Sequence, residues 1–211
     1  MNKKLILTLI TALITATGLM SCSEENNSIE EFANWQETND EYFAKVHSTA
    51  TNNLDGQWKV FNTWTVPAGQ KVEKTNQIAV NVLKEGNGSG SPMYTDSVLV
   101  HYRGRLIPSP SYSEGLVFDE SYTGELNTAL SIPTRLAVDG VIDGFSTALQ
   151  NMNIGDFWRV YIPYNLGYGS TDNSNIPAYS TLVFDIYLVA YGRPGHALPN
   201  WKTKEMVWFE E

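Results

Sequence analysis

The sequence predicts an α+β fold, a twisted antiparallel sheet packed on one short helix, with a further helix and strand ahead of it. Three observations carry that expectation. Most apolar runs are short and alternate with polar residues, as half-buried strands do, and 16 glycines and 9 prolines punctuate them. One segment of the C-terminal half breaks that period: Phe145, Ala148, Leu149 and Met152 form a helical stripe at offsets of three, four and seven, with Gly144 ahead and Gly155 beyond as a stop. Near the N-terminus Phe32, Trp35, Asn39, Tyr42, Phe43 and Val46 recur at spacings of three and four on an otherwise acidic and polar helix. A single short helix among several antiparallel strands is best buried on the concave side of their sheet.

A chain of 211 residues, 42% hydrophobic and 12% aromatic, has material for one good core. The organisation read from the sequence is a signal segment at 1–21, an acidic tether at 22–27, a helix-and-strand extension at 28–76, the main domain at 77–190 and a polar tail at 191–211. The net charge is −9, and the only charges in the first 21 residues are Lys3 and Lys4, so the remainder is more acidic still. That balance argues against nucleic acid as a partner.

The first element is a basic start followed by an apolar stretch over 5–20 with four threonines. At 16 residues it is shorter than the roughly 20 a spanning helix needs. A retained membrane anchor is the lesser reading. Leu19-Met20-Ser21-Cys22 resembles a bacterial lipobox, in which Cys22 is lipidated; the alternative is an incidental cysteine near an ordinary cleavage site. With no second cysteine, no intrachain disulfide forms. The acidic run behind Cys22 reads equally as a surface-export signal or a spacer.

Ser28 and Glu31 have the spacing of a capping box, so the N-terminal helix is expected to start there. Its stripe packs on its own domain or on a second copy, which leaves a homodimer open. Trp58, Val60, Trp64 and Val66 alternate as one strand interrupted at Asn62. Tryptophans on one strand face serve as core more often than as a sugar platform. Ile78, Val80 and Val82 form the next strand, and the glycine-rich 86–90 run is a loop without the lysine and helix of a phosphate site. Further strands run from Ser97 to Arg103, ending at Gly104, then over 116–120; irregular sequence follows as far as Leu136. After the short helix come an alternating strand at 157–162 and a long one through Leu182, Phe184, Ile186 and Leu188.

No ordinary catalytic set is present. His47, His101 and His196 lie far apart in no metal-ligand spacing, no Gly-x-Ser-x-Gly occurs, and 172–175 lacks the glycine and distal Glu of a calcium loop. What remains is aromatic. Tyr164 to Phe184 puts Tyr168 between two glycines, crosses a polar 170–175 tip and returns through Ile176-Pro177, so it presents apolar groups where a loop would hide them. Such a loop suits the wall of a shallow apolar pocket for a prolyl peptide.

Six blocks then occur in order: Val98-Leu-Val-His-Tyr-Arg-Gly-Arg-Leu106, Val117-Phe-Asp-Glu-Ser121, Val141-Ile-Asp-Gly-Phe-Ser-Thr-Ala-Leu149, Ile162-Pro163, Leu166-Gly-Tyr-Gly169 and Ile176-Pro-Ala-Tyr-Ser-Thr-Leu-Val-Phe184. Together they resemble the FKBP-type peptidyl-prolyl isomerases over 77–190. The resemblance implies a curved antiparallel sheet wrapped around one short α-helix, with no cofactor and no metal. It implies Tyr102, Phe118, Asp119, Tyr168 and Phe184 as catalytic residues and Val141, Ile142, Phe145 and Ile176 as substrate-binding ones. Phe145 would be the floor, Phe118 and Phe184 the walls, and the Tyr168 hydroxyl and Ile142 amide the donors. Phe145 stands where the best-known members have tryptophan. The aromatic pair expected before Val141 is replaced by something around Leu130 and Ile132, and the 107–115 loop and 170–175 tip also depart. The implied partners are X-Pro segments of exported, unfolded polypeptides, and with Cys22 the implied location is a lipid anchorage at the bacterial cell envelope, on the outer membrane.

Overall fold

The computed structural model describes residues 30–198 apart from Leu54 and Ala68. The signal segment, Cys22, the tether, Ser28 and the tail beyond Leu198 lie outside the described residues. All elements below belong to one compact unit beginning at Glu31.

Helix α1 (Trp35–Asn52) leads, followed by β1 (Trp58–Asn62), β2 (Gln77–Lys84), β3 (Ser97–Arg105), β4 (Val117–Glu120) and β5 (Thr134–Ala137). Helix α2 (Asp143–Leu149), β6 (Phe157–Ile162) and β7 (Leu182–Gly192) complete it. The seven strands form one sheet in the order β1-β2-β6-β7-β3-β4, with β5 paired to the other half of β3. Every pairing is antiparallel. β7 lies at the centre, between β6 and β3, and its long apolar alternation suits a strand covered on both faces.

Alternation along β6 and β7 sorts their residues into two faces. Trp158, Val160, Ile162, Leu182, Phe184 and Ile186 are buried on the α2 side. α2 has seven residues, far fewer than the roughly 12–15 at which an isolated helix becomes even marginal. It persists because Gly144 through Leu149 are all buried against the sheet. Gly144 is a packing residue within the helix and not its preface: a Cβ there would stand 2.3 Å from Ile162 Cγ2.

The opposite face carries charge. Asp185 is buried and accepts hydrogen bonds from Arg105 Nη2 at 2.6 Å and from Arg159 Nε and Nη2 at 2.6 and 3.0 Å. Those bonds hold the Arg159 guanidinium well above its ordinary pKa. Removing Asp185 would leave the buried Arg105 guanidinium uncompensated at a cost of about 3–5 kcal/mol, whereas Arg159, a third exposed, is screened by solvent. α1 covers this side, with Tyr42 against Tyr161 at 6.3 Å and Trp58 stacked on Tyr161 at 5.8 Å.

Trp35, Asn39 and Phe43 are buried, and Phe32, Tyr42 and Val46 pack against the same core, so the N-terminal stripe is taken up within its own domain. β1 then joins the sheet as an edge strand. The extension and the main domain therefore share one sheet.

Three sequence expectations are corrected. The helix starts at Trp35, behind an N-cap Asn34 with φ 50° and no side-chain cap, and Glu31 instead accepts from the Ser109 hydroxyl and, at 3.0 Å, from Ser111 N–H. β1 ends at Asn62, and Trp64 lies beyond it, stacked on Tyr94 at 4.1 Å, so Trp58 and Trp64 do not share a strand face. The stretch read as irregular up to Leu136 contains β5, whose Thr134 and Leu136 pair with Val100 and Val98.

Candidate active site

Of the aromatic residues singled out above, Tyr102, Phe118, Phe145 and Phe184 meet on the α2 side of the sheet, and Tyr168 makes no ring contact with them. Phe145 enters from the first turn of α2, which is held by Phe145 and Ser146 N–H groups donating to Ile142 O at 3.0 Å each. Its ring meets Phe184 of β7 edge to face at 5.1 Å and Tyr102 of β3 at 6.0 Å. Phe184 in turn meets Phe118 of β4 at 5.5 Å and 86°. These edge-to-face contacts set the positive edge of one ring against the negative face of the next.

Burial divides the set into floor and rim. Phe145 and Phe184 are 3% and 4% exposed, and Ile176 is buried in the same core. Tyr102, Phe118, Val141 and Ile142 are half-buried and pack against this core, while Tyr168 is 38% exposed. A dry aromatic base with a half-open apolar border is the geometry of a shallow binding site.

Its polar groups differ in their commitments. The Tyr102 hydroxyl donates to Asp119 Oδ2 at 2.8 Å. Burial first, then that bond and the Asp119 charge, push the Tyr102 phenol far above its usual pKa. The Tyr168 phenol is raised by burial and by Asp119, and its hydroxyl has no hydrogen-bond partner among the described residues. Tyr168 thus keeps its proton at neutral pH and has it free to donate.

The Tyr168 segment is tightly closed. A 3₁₀ turn, Tyr164–Leu166, follows Pro163; Gly169, at φ 80°, donates to Tyr164 O at 2.9 Å, and Tyr179 donates to Gly169 O at 3.0 Å. The 170–175 tip is bonded: Asn173 and Ile176 exchange both backbone hydrogen bonds, and Ala178 N–H donates to Asp172 Oδ1 at 2.8 Å.

Three residues differ from the sequence reading. Leu130 and Ile132 are 78% and 69% exposed, so they do not fill the place ahead of Val141. Leu136 of β5 packs against the core, and the cause is register: pairing with Val98 sets it on the same face of the sheet. Gly104, read as a strand end, lies inside β3 opposite both Phe184 and Asp119. A Cβ on it would come within 2.5 Å of the Phe184 ring and 2.7 Å of the Phe118 ring, so the absence of a side chain lets these rings meet. A glycine within an alternating strand was the available signal. Ser121, quoted in a motif but assigned no role, accepts from Tyr102 N–H at 2.8 Å and pins the strand at the site.

Residues 88–189 match the family described as FKBP-type peptidyl-prolyl cis-trans isomerase. The macrophage infectivity potentiator of Trypanosoma cruzi is 39% identical over 109 residues, 51% of this chain and 50% of that protein. The FKBP-type peptidyl-prolyl cis-trans isomerase FkpA of Escherichia coli strain K12 is 33% identical over 147 residues, 69% of this chain and 49% of that protein. The crystal structure of a peptidyl-prolyl cis-trans isomerase from Pseudomonas syringae pv. tomato is similar with a TM-score of 0.51 at 27% identity, covering 75% of this chain and 96% of that one. The chain spans about half the length of the curated relatives it matches.

Proposed function

The chain belongs through residues 88–189 to the FKBP-type peptidyl-prolyl cis-trans isomerase family, and on that premise we propose that it accelerates rotation about X-Pro bonds of exported polypeptides. The observation that carries this is the buried Phe145–Phe184 base with its half-open rim and the partly exposed Tyr168.

Rotation about X-Pro is slow because amide resonance must be broken, at a barrier of roughly 18–20 kcal/mol. The twisted amide is less dipolar than the planar one. An apolar base under the proline ring therefore disfavours the planar ground state more than the twisted state. Phe145 supplies that base and Phe118 and Phe184 the walls. Val141, Ile142 and Ile176 shape the border, and Ile142 N–H and the Tyr168 hydroxyl donate to carbonyls flanking the twisting bond. Asp119 keeps the Tyr102 hydroxyl turned toward it. Each 1.4 kcal/mol or so of preference for the twisted state gives tenfold in rate.

A protease-coupled isomerisation assay on the purified full-length chain tests this. The expected outcome is a rate above background that falls about tenfold in Phe118→Ala and severalfold in Tyr168→Phe. A wild-type protein that shows no acceleration but suppresses aggregation of a proline-free client is instead a non-catalytic chaperone or binding module.

The lipobox resemblance supports the further reading that Cys22 carries a lipid and holds the domain at the cell envelope, on the outer membrane. Cys22→Ser should then move the protein from the membrane to the soluble fraction, and unchanged membrane association rejects the lipid. A homodimer through α1 would have to use its outward polar face, since the apolar stripe is buried.

A further inference from the structure

The N-terminal extension lies outside the family match, yet it bonds directly to the segment that closes the candidate site. Asn39, in α1, is fully buried. Its Oδ1 accepts the Thr181 backbone N–H at 2.7 Å, and its Nδ2 donates to Trp35 O at 2.6 Å, which fixes the amide's orientation. One turn earlier, Trp35 Nε1 donates to Ser180 Oγ at 2.8 Å, and the Ser180 hydroxyl donates to Pro177 O at 2.6 Å.

These bonds fall between two site residues: Ile176 immediately precedes Pro177, and Phe184 is three residues beyond Thr181. Tyr179, in the middle, has φ 62°, an uncommon conformation for a residue with a side chain, and its N–H reaches Gly169 O beside Tyr168. Left-handed backbone at a tyrosine persists only where its surroundings impose it, and Asn39 and Trp35 supply part of that constraint. The other end of the extension reaches α2, where Trp64 N–H donates to Thr147 Oγ1 at 3.1 Å and Trp64 Nε1 to Asp143 Oδ1 at 3.2 Å. Both the Tyr168–Phe184 wall and the helix carrying Phe145 are thus tied to residues ahead of the matched region.

We infer that Asn39 is a positioning residue of this site. By holding Thr181 it sets the placement of Ile176 and Tyr168 relative to Phe184, which makes α1 part of the catalytic unit. The inference rests on the isomerase reading above. The geometry of such a site is sensitive, since a misplacement of about 1 Å costs on the order of a hundredfold in rate.

The test uses the full-length chain as wild type, Asn39→Leu and Val46→Ala. Leu has the branching and heavy-atom count of Asn and removes both side-chain polar contacts, whereas Val46 packs from the same helix without a hydrogen bond to 177–181. Prolyl isomerisation and amide hydrogen exchange are read at a temperature where circular dichroism shows each protein folded. The expected result for Asn39→Leu is a fall of about tenfold or more in kcat/KM with faster exchange over 176–181 and unchanged exchange in β2 and β6. Val46→Ala is expected to lower the melting temperature without moving either readout. Wild-type kcat/KM in folded Asn39→Leu overturns the inference, as does unchanged exchange over 176–181. If the wild type itself is inactive, the isomerase reading fails, and the exchange data still decide whether Asn39 places the segment. Should Asn39→Leu not fold, Asn39→Ala removes the same two contacts with less bulk to place, and the same two readouts decide in the same direction.

Discussion

Gly104 shows how one missing side chain builds a site. Phe118 and Phe184 come from different strands, and their edge-to-face contact crosses β3 at the only residue type that leaves room for it. Gly104→Ala should therefore act unlike an ordinary strand substitution, where replacing glycine favours the strand. The new Cβ overlaps two rings, and overpacking of this kind costs about 1–3 kcal/mol. The expected outcome is a lower melting temperature together with a drop of tenfold or more in isomerisation rate. A stable, fully active Gly104→Ala protein would show that the rings need not meet. Gly144 applies the same rule one layer below, where Ile162 occupies the space a Cβ would take.

Among the elements, legibility follows length and environment. β7 and α2 are plain in the sequence because a central strand and a core-facing helix each carry an unbroken apolar period. β5 is not, because Thr134–Ala137 shows only four residues of alternation and depends on pairing with β3 to become a strand. β1 is half legible: its alternation is real through Asn62, but continuing the period to Trp64 and Val66 ignores the turn closed by Val66 N–H on Thr63 O at 3.0 Å. The helix starts at Trp35 and not at the capping-box spacing for a related reason. Glu31 is engaged in tertiary contacts, as acceptor for the Ser109 and Ser111 donors.

For the whole molecule, titration of the sheet interior sets a pH limit. His101 is fully buried in β3, and burial lowers its pKa from the ordinary value near 6.5. The unfolded chain therefore takes up a proton at His101 before the folded one does. Stability is fully present above about pH 6.5 and is lost as pH falls from there toward the lower folded pKa. Denaturant melts should show falling stability between pH 7 and 5, with a shallower slope in His101→Gln. An identical slope in the two proteins would assign the loss to other groups.

The class of the fold and the six ordered blocks with their aromatic residues are legible along the chain, because these are written in period, order and chemistry along one strand of text. Tertiary structure alone decided which residues lie beside one another across strands. It placed Leu136 rather than Leu130 or Ile132 on the core side, made Gly104 the crossing point of two rings, and joined Asn39 to Thr181 across 142 positions of sequence. The physical reason is that strand register and buried hydrogen bonds depend on partners remote in the chain, and local propensity carries no information about them.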